Sequence, residues 1–180
     1  GPPVNMNENP ILDLSIFNDG RLYRPMQGKV WRMFPLETHR GCPYKCAYCN
    51  SPSQQTLYKK ETNTSFFRKK SMDKIRDEIL VLRDHYDAEA LYFWADTFFA
   101  WSSREFDAFI EMYSEFNIPF WCQTRPETVT YERVKQLTDV GMFRMSFGVE
   151  HGNHEFRKKV IRRNISNEEI IAAMKEVNRV

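Results

Sequence analysis

Apolar and polar positions alternate along this chain in two rhythms. Short apolar blocks at Val30–Thr38, Ala90–Ala95, Ile118–Cys122 and Phe143–Val149 have strand length and strand composition. Between them run stretches with helical spacing. Met72, Ile75, Ile79, Leu82 and Tyr86 recur at intervals of three, four, three and four, behind a capping Ser71. Ser102 and Glu105 read as a capping box for a helix burying Phe106, Phe109, Ile110, Tyr113 and Phe116. Thr130 caps a helix with Val134, Leu137 and Val140 inward, which Gly141 stops. Ser166 and Glu169 form a second capping box, ahead of Ile170, Ile171, Met174 and Val177. The block Ala90–Ala95 reads as a strand buried on both faces. Residues 51–70 are polar and basic and read as an irregular connection.

Strand, loop and helix in repeated succession predict an α/β fold with a parallel sheet and right-handed crossovers. A closed eight-unit barrel needs about 250 residues, roughly 30 per unit. The chain has 180 residues. The expectation is a partial (βα)6 TIM-like barrel that stops after about four βα units, a piece of a longer barrel. Residues 1–30, rich in Asn, Pro and Gly turn formers, read as an N-terminal extension or linker, with 31–180 as the core domain. Gly1-Pro2-Pro3 reads as a cloning remnant.

Composition narrows the class. Hydrophobic residues make up 42% and aromatic residues 14%, too many for a disordered chain. The 26 basic and 24 acidic residues leave a net charge of +2, which argues against nucleic acid as an obligatory partner. No apolar run approaches a membrane span. Three of the four cysteines fall within eight positions, a poor disulfide framework and a good metal site, which suggests a reducing compartment, most simply the cytoplasm.

Those three are Cys42, Cys46 and Cys49, in Arg40-Gly41-Cys42-Pro43-Tyr44-Lys45-Cys46-Ala47-Tyr48-Cys49-Asn50, with C-x3-C-x2-C spacing. Three thiolates in one loop can each bind one iron of a cubane and leave the fourth iron open to a small molecule. Zinc is the alternative, with His39 or Cys122 recruited as fourth ligand, because structural zinc takes four protein ligands. Cys122 itself reads as a buried hydrophobe. Polar groups follow each apolar block: Asp96 and Thr97 after the second, Gln123, Thr124 and Arg125 after the third, Glu150 after the fourth. In parallel βα folds that rim is where ligands sit. The basic runs Arg157-Lys158-Lys159 and Arg162-Arg163 read as a solvated face, as do His151 and His154. Phe98, Phe99 and Trp101 fit either a substrate wall or a cover over the rim.

The cysteine loop after a first strand, with Tyr48 before its last cysteine, resembles the signature of radical S-adenosylmethionine (radical SAM) enzymes. Arg24-Pro25-Met26 and Glu37-Thr38-His39-Arg40-Gly41-Cys42-Pro43 further resemble the subgroup linked to a cobalamin-binding domain. The resemblance implies that Cys42, Cys46 and Cys49 hold a [4Fe-4S] cluster. It implies that the SAM amino and carboxylate groups chelate the open iron, and that one electron splits SAM into methionine and a 5′-deoxyadenosyl radical. Asp96 stands where the family often has a Gly-Gly-Glu-like stretch on the SAM ammonium. Glu150 stands at a position that contacts the ribose or the amino-acid end. Arg125 is placed to pair with the SAM carboxylate, and Tyr48 offers backbone contacts to adenine. The implied partners are a small-molecule substrate and an electron donor of flavodoxin or ferredoxin type. No Asp-x-His-x-x-Gly cobalt-ligating element occurs in the chain, so cobalamin would bind through a domain absent from it. The competing reading is a non-catalytic zinc or iron–sulfur module.

Overall fold

A computed structural model describes residues 3–180; of the opening Gly1-Pro2-Pro3, Gly1 and Pro2 lie outside the described residues. In chain order the elements are β1 (Tyr23–Met26), β2 (Lys29–Glu37), β3 (His39–Arg40), α1 (Ser51–Thr62), β4 (Arg68–Lys69), α2 (Met72–Asp84) and β5 (Ala90–Trp94). They continue with α3 (Ser103–Tyr113), β6 (Phe120–Thr124), α4 (Tyr131–Asp139), β7 (Met142–Phe147), α5 (His154–Phe156) and α6 (Asn167–Asn178). Four parallel strands stand in the order β2-β5-β6-β7, and β1 adds antiparallel to β2 at one edge. β3 and β4 form a separate small ribbon.

The sheet curls into a half-barrel. Trp31 on β2 stacks on Phe143 of β7 at 5.4 Å between ring centroids, although β5 and β6 lie between those strands. This is a mixed α/β fold and a partial TIM-like barrel.

The helices form for the reasons the pattern gives. Ser71 accepts from Lys74 N–H ahead of α2, and Thr130 accepts from Arg133 N–H ahead of α4. Both capping boxes, at Ser102/Glu105 and Ser166/Glu169, are present. Gly141 ends the α4 segment at φ +111°, where a side chain would be strained and would press on Ile118 O. The core lies between the convex face of the sheet and α2, α3 and α4. Phe93 sits at its centre, fully buried and edge-on to Phe109, Tyr113 and Phe120. Phe98, Phe99 and Trp101 belong to this core.

Three expectations fail. Residues 51–62 are helical: Ser51-Pro52 starts α1, and Asn63 closes it in the left-handed conformation. Apart from Leu57 and Tyr58 its sequence is polar, and it carries no apolar stripe to announce it. Residues 23–26, within the segment read as a linker, form the edge strand β1, where Pro25 costs little because an edge strand can spare one N–H. The Ala90–Ala95 block is not buried on both faces: Tyr92 is half-buried and Trp94 is 55% exposed, because the concave face of the half-barrel is open.

Candidate cofactor site

The cysteine loop leaves β3 and runs into α1. Gly41 opens it at φ +87°, and a Cβ there would lie 2.9 Å from Phe66 Cδ1 and 3.1 Å from Phe67 Cα, so the adjoining segment that leads into β4 requires glycine. The start of α1 then fixes the first cysteine. Ser51 Oγ accepts Cys42 N–H at 3.1 Å and donates to Cys42 O at 3.3 Å, and Gln55 Nε2 also donates to Cys42 O. Cys49 Sγ accepts the Ser51 N–H at 3.4 Å. That N–H is one of the unpaired donors of a helix N-terminus, where negative charge is favoured. Ala47 N–H donates to Ile161 O at 2.9 Å and ties the loop to the opposite end of the fold.

One cavity of about 320 Å³ opens at the carboxyl ends of the parallel strands. All three cysteines line it, with Tyr48, Asp96, Arg125 and Glu150. Every site residue read from the sequence thus reaches a single chamber, from four separate segments. Among the described residues no three His, Cys, Asp or Glu side chains gather tightly enough to hold one metal ion. All three sulfurs face one chamber, three protein ligands where structural zinc takes four. Neither proposed fourth zinc ligand lines the cavity. Cys122 is fully buried beside Met142, and His39 is sealed between Thr38 and Thr97.

The sequence model of the Radical SAM superfamily matches residues 36–180. The chain belongs to the radical SAM superfamily. The radical SAM domain implies a [4Fe-4S] cluster and SAM as cofactors and is a domain of enzymes. The radical SAM core is 26% identical, over 114 residues, to the uncharacterized methyltransferase PH0819 of Pyrococcus horikoshii; the match covers 63% of this chain and 23% of that protein. Among solved structures it resembles the radical SAM methyltransferase TsrM of Kitasatospora setae, in a complex with tryptophan and a SAM analog (TM-score 0.64, 13% identity, 82% of this chain and 28% of that one). A second TsrM structure holds cobalamin and a [4Fe-4S] cluster (TM-score 0.61). It also resembles coproporphyrinogen III oxidase (HemN) of Escherichia coli (TM-score 0.52, 12% identity, 82% and 34% coverage). At such identities these structures establish the fold alone. The chain spans roughly a quarter to a third of the length of the proteins it matches.

Within this radical SAM core the environments of the site residues differ. Cys42 and Cys46 are each 8% exposed. Burial raises the Cys42 thiol above its ordinary value, and the Thr97 hydroxyl, 3.4 Å away, partly offsets this. Burial likewise raises Asp96, against a hydrogen bond from the Gly41 backbone. Burial, followed by a hydrogen bond to Glu150, pushes the Tyr48 phenol up to about 12.

Arg163 stands in a basic run that the sequence alone reads as solvated, yet it belongs to the site. It is 2% exposed, lines the cavity, and pairs with Glu150 at 3.0 Å and with Glu127 at 3.4 Å. Arg157 from the same run is fully buried and donates to His151 O, Ile165 O and Asn167 Oδ1. It lies in a π-helical turn, Arg157–Ile161, the kind of irregularity that recurs at functional sites. A buried Nε2 on His154 likewise departs from a solvated role. No helix among the described residues is long and apolar enough to cross a membrane.

His39 supports Thr97 from below, its Nε2 3.0 Å from Thr97 O. Burial lowers its pKa from 6.5 to about 4. The unfolded chain therefore takes up a proton near pH 6.5 that the folded chain refuses until about pH 4. Stability from this group is complete above pH 6.5 and drains as pH falls toward 4, by at most about 1.4 kcal/mol per unit. Urea titrations at pH 7 and pH 5 should show this loss in the wild type and a flatter dependence in His39→Gln. Equal slopes in the two proteins would contradict it.

Proposed function

We propose that residues 31–180 are the catalytic core of a radical SAM enzyme in which Cys42, Cys46 and Cys49 bind three irons of the cluster, with residues 1–30 as a leading segment. The convergence of the three sulfurs and the strand-end polar groups on one cavity carries this reading. When bound, the cluster and SAM would supply one-electron reductive cleavage of SAM to methionine and a 5′-deoxyadenosyl radical able to take hydrogen from a substrate.

The chain's own residues do the positioning. The start of α1 locks the Cys42 backbone and gives an N–H to Cys49. Asp96, half-buried beside Gly41, accepts from the SAM ammonium. Glu150 takes the ribose hydroxyls or the amino-acid end, and it is pre-set for this. It adopts φ +69°, and its Oε1 occupies the space a side chain on residue 148 would need, at 2.5 Å from that Cβ position. Arg163 holds it there. Tyr48 offers its backbone to adenine. Arg125 lines the wall, with its guanidinium committed to Glu127 and Cys46.

The likeness to a Pyrococcus methyltransferase and to the TsrM fold supports a cobalamin-linked methyltransferase or cyclase reaction, with cobalamin bound outside residues 1–180. An electron donor of flavodoxin or ferredoxin type, a small-molecule substrate and a cytoplasmic location complete the reading.

Anaerobic reconstitution followed by dithionite and SAM should release 5′-deoxyadenosine and methionine. Cluster-loaded protein that leaves SAM intact would overturn the proposal. Asp96→Asn should keep its iron and lose SAM affinity roughly tenfold to a hundredfold, the worth of a hydrogen bond between charged groups. Titration of the loaded protein with SAM checks this, and unchanged affinity would remove Asp96 from the site.

A further inference from the structure

The three cysteine sulfurs have unequal neighbours. Cys42 Sγ meets a neutral hydroxyl, Thr97 Oγ1, at 3.4 Å. Cys49 Sγ meets a neutral backbone N–H at 3.4 Å. Cys46 Sγ alone accepts from a cation, Arg125 Nη1, at 2.9 Å.

Arg125 is held to that sulfur from every side. Its Nε donates to Glu127 Oε1 at 2.7 Å, and Nη2 reaches the same oxygen. The guanidinium lies 3.8 Å from the centroid of the Tyr44 ring, inside the cysteine loop. Its side chain is only 11% exposed, so water screens the contact poorly. Beyond Glu127 the charges alternate through Arg163 to Glu150.

A cation donating to a ligating thiolate draws electron density from the metal. Hydrogen bonds to the sulfurs and local net charge are two of the levers that set cluster potentials. We infer that Arg125, acting through Cys46, raises the reduction potential of the cluster, and that Glu127 limits how much of its charge the sulfur feels. This rests on the reading of Cys42, Cys46 and Cys49 as the cluster ligands. Arg125 is thus a tuning residue that touches a ligand's sulfur, and its effect must appear in the potential whether or not substrate is present.

The two residues make opposite predictions, which a merely structural role would not. The full chain, reconstituted anaerobically, is titrated with mediator dyes and the reduced cluster followed by EPR. Arg125→Gln should move the midpoint to more negative potential, with Arg125→Lys in between. Glu127→Gln should move it to more positive potential, and Lys135→Gln, on the exposed face of α4, should not move it. Iron and sulfide counts accompany each titration. An unchanged or more positive midpoint in Arg125→Gln at wild-type iron content would overturn the inference. If that variant assembles no cluster, Glu127→Gln decides: a positive shift sustains the inference, and none, or a negative one, overturns it. A wild-type chain that binds no iron and sulfide would instead overturn the reading on which it rests.

Discussion

Replacing Cys42, Cys46 or Cys49 singly with alanine should abolish the iron–sulfur absorbance and reduce SAM cleavage to background, while Cys122→Ala keeps both. Each of the three sulfurs faces the same cavity, and each has a hydrogen-bonding neighbour. Cys42 has the Thr97 hydroxyl, Cys46 the Arg125 guanidinium, and Cys49 a free N–H at the start of α1. With one sulfur gone, two ligands remain for a cluster that needs a third to leave a single open iron. Cys122 faces away into the core, fully buried, and contributes packing only. Iron and sulfide analysis of the four variants is the check. A variant at Cys42, Cys46 or Cys49 that retained a full cluster would remove that residue from the ligand set.

Phe93→Ala should destabilise the fold by about 3–5 kcal/mol, the usual cost of emptying a large aromatic site in a core. Phe93 has no exposed surface and touches four other rings, those of Phe98, Phe109, Tyr113 and Phe120. These rings come from the segment after β5, from α3 and from β6, so collapse around the void would have to move three elements at once. A domain of this size has a total stability of about 5–15 kcal/mol, so the loss is a large share of it. The position also matters to the site, because β5 leads directly into Asp96 and Thr97. Urea denaturation of the variant should show the lower midpoint, and a change below about 1 kcal/mol would mean that the cluster of rings is not the keystone its geometry indicates.

Much of this architecture is legible in the residues, and the failures have physical causes. The helices that pack on the sheet announce themselves because an apolar stripe and a cap coincide: Ser71 with Ile75, Ile79 and Leu82, and Ser102 with Phe106 and Phe109. Helix α1 stays hidden because its function is to hold the cysteine loop with Ser51 and Gln55, which requires polar groups and no stripe. Strand β1 is four residues with a proline, legible only once β2 is there to pair with it. The site residues at the strand ends are legible because a parallel sheet puts every carboxyl end on one rim. Arg157 and Arg163 are not, because an arginine in a basic run looks solvated unless its partners are known. Those of Arg163, Glu127 and Glu150, lie 36 and 13 positions away.

The EPR spectrum of the reduced cluster, recorded with and without SAM on the anaerobically reconstituted chain, tests most directly whether three sulfurs hold an iron–sulfur cube with one corner open. The expected result is a spectrum whose g-values shift on adding SAM, from protein carrying one [4Fe-4S] cluster per chain. Zinc without sulfide, or a cluster whose spectrum ignores SAM, would contradict it.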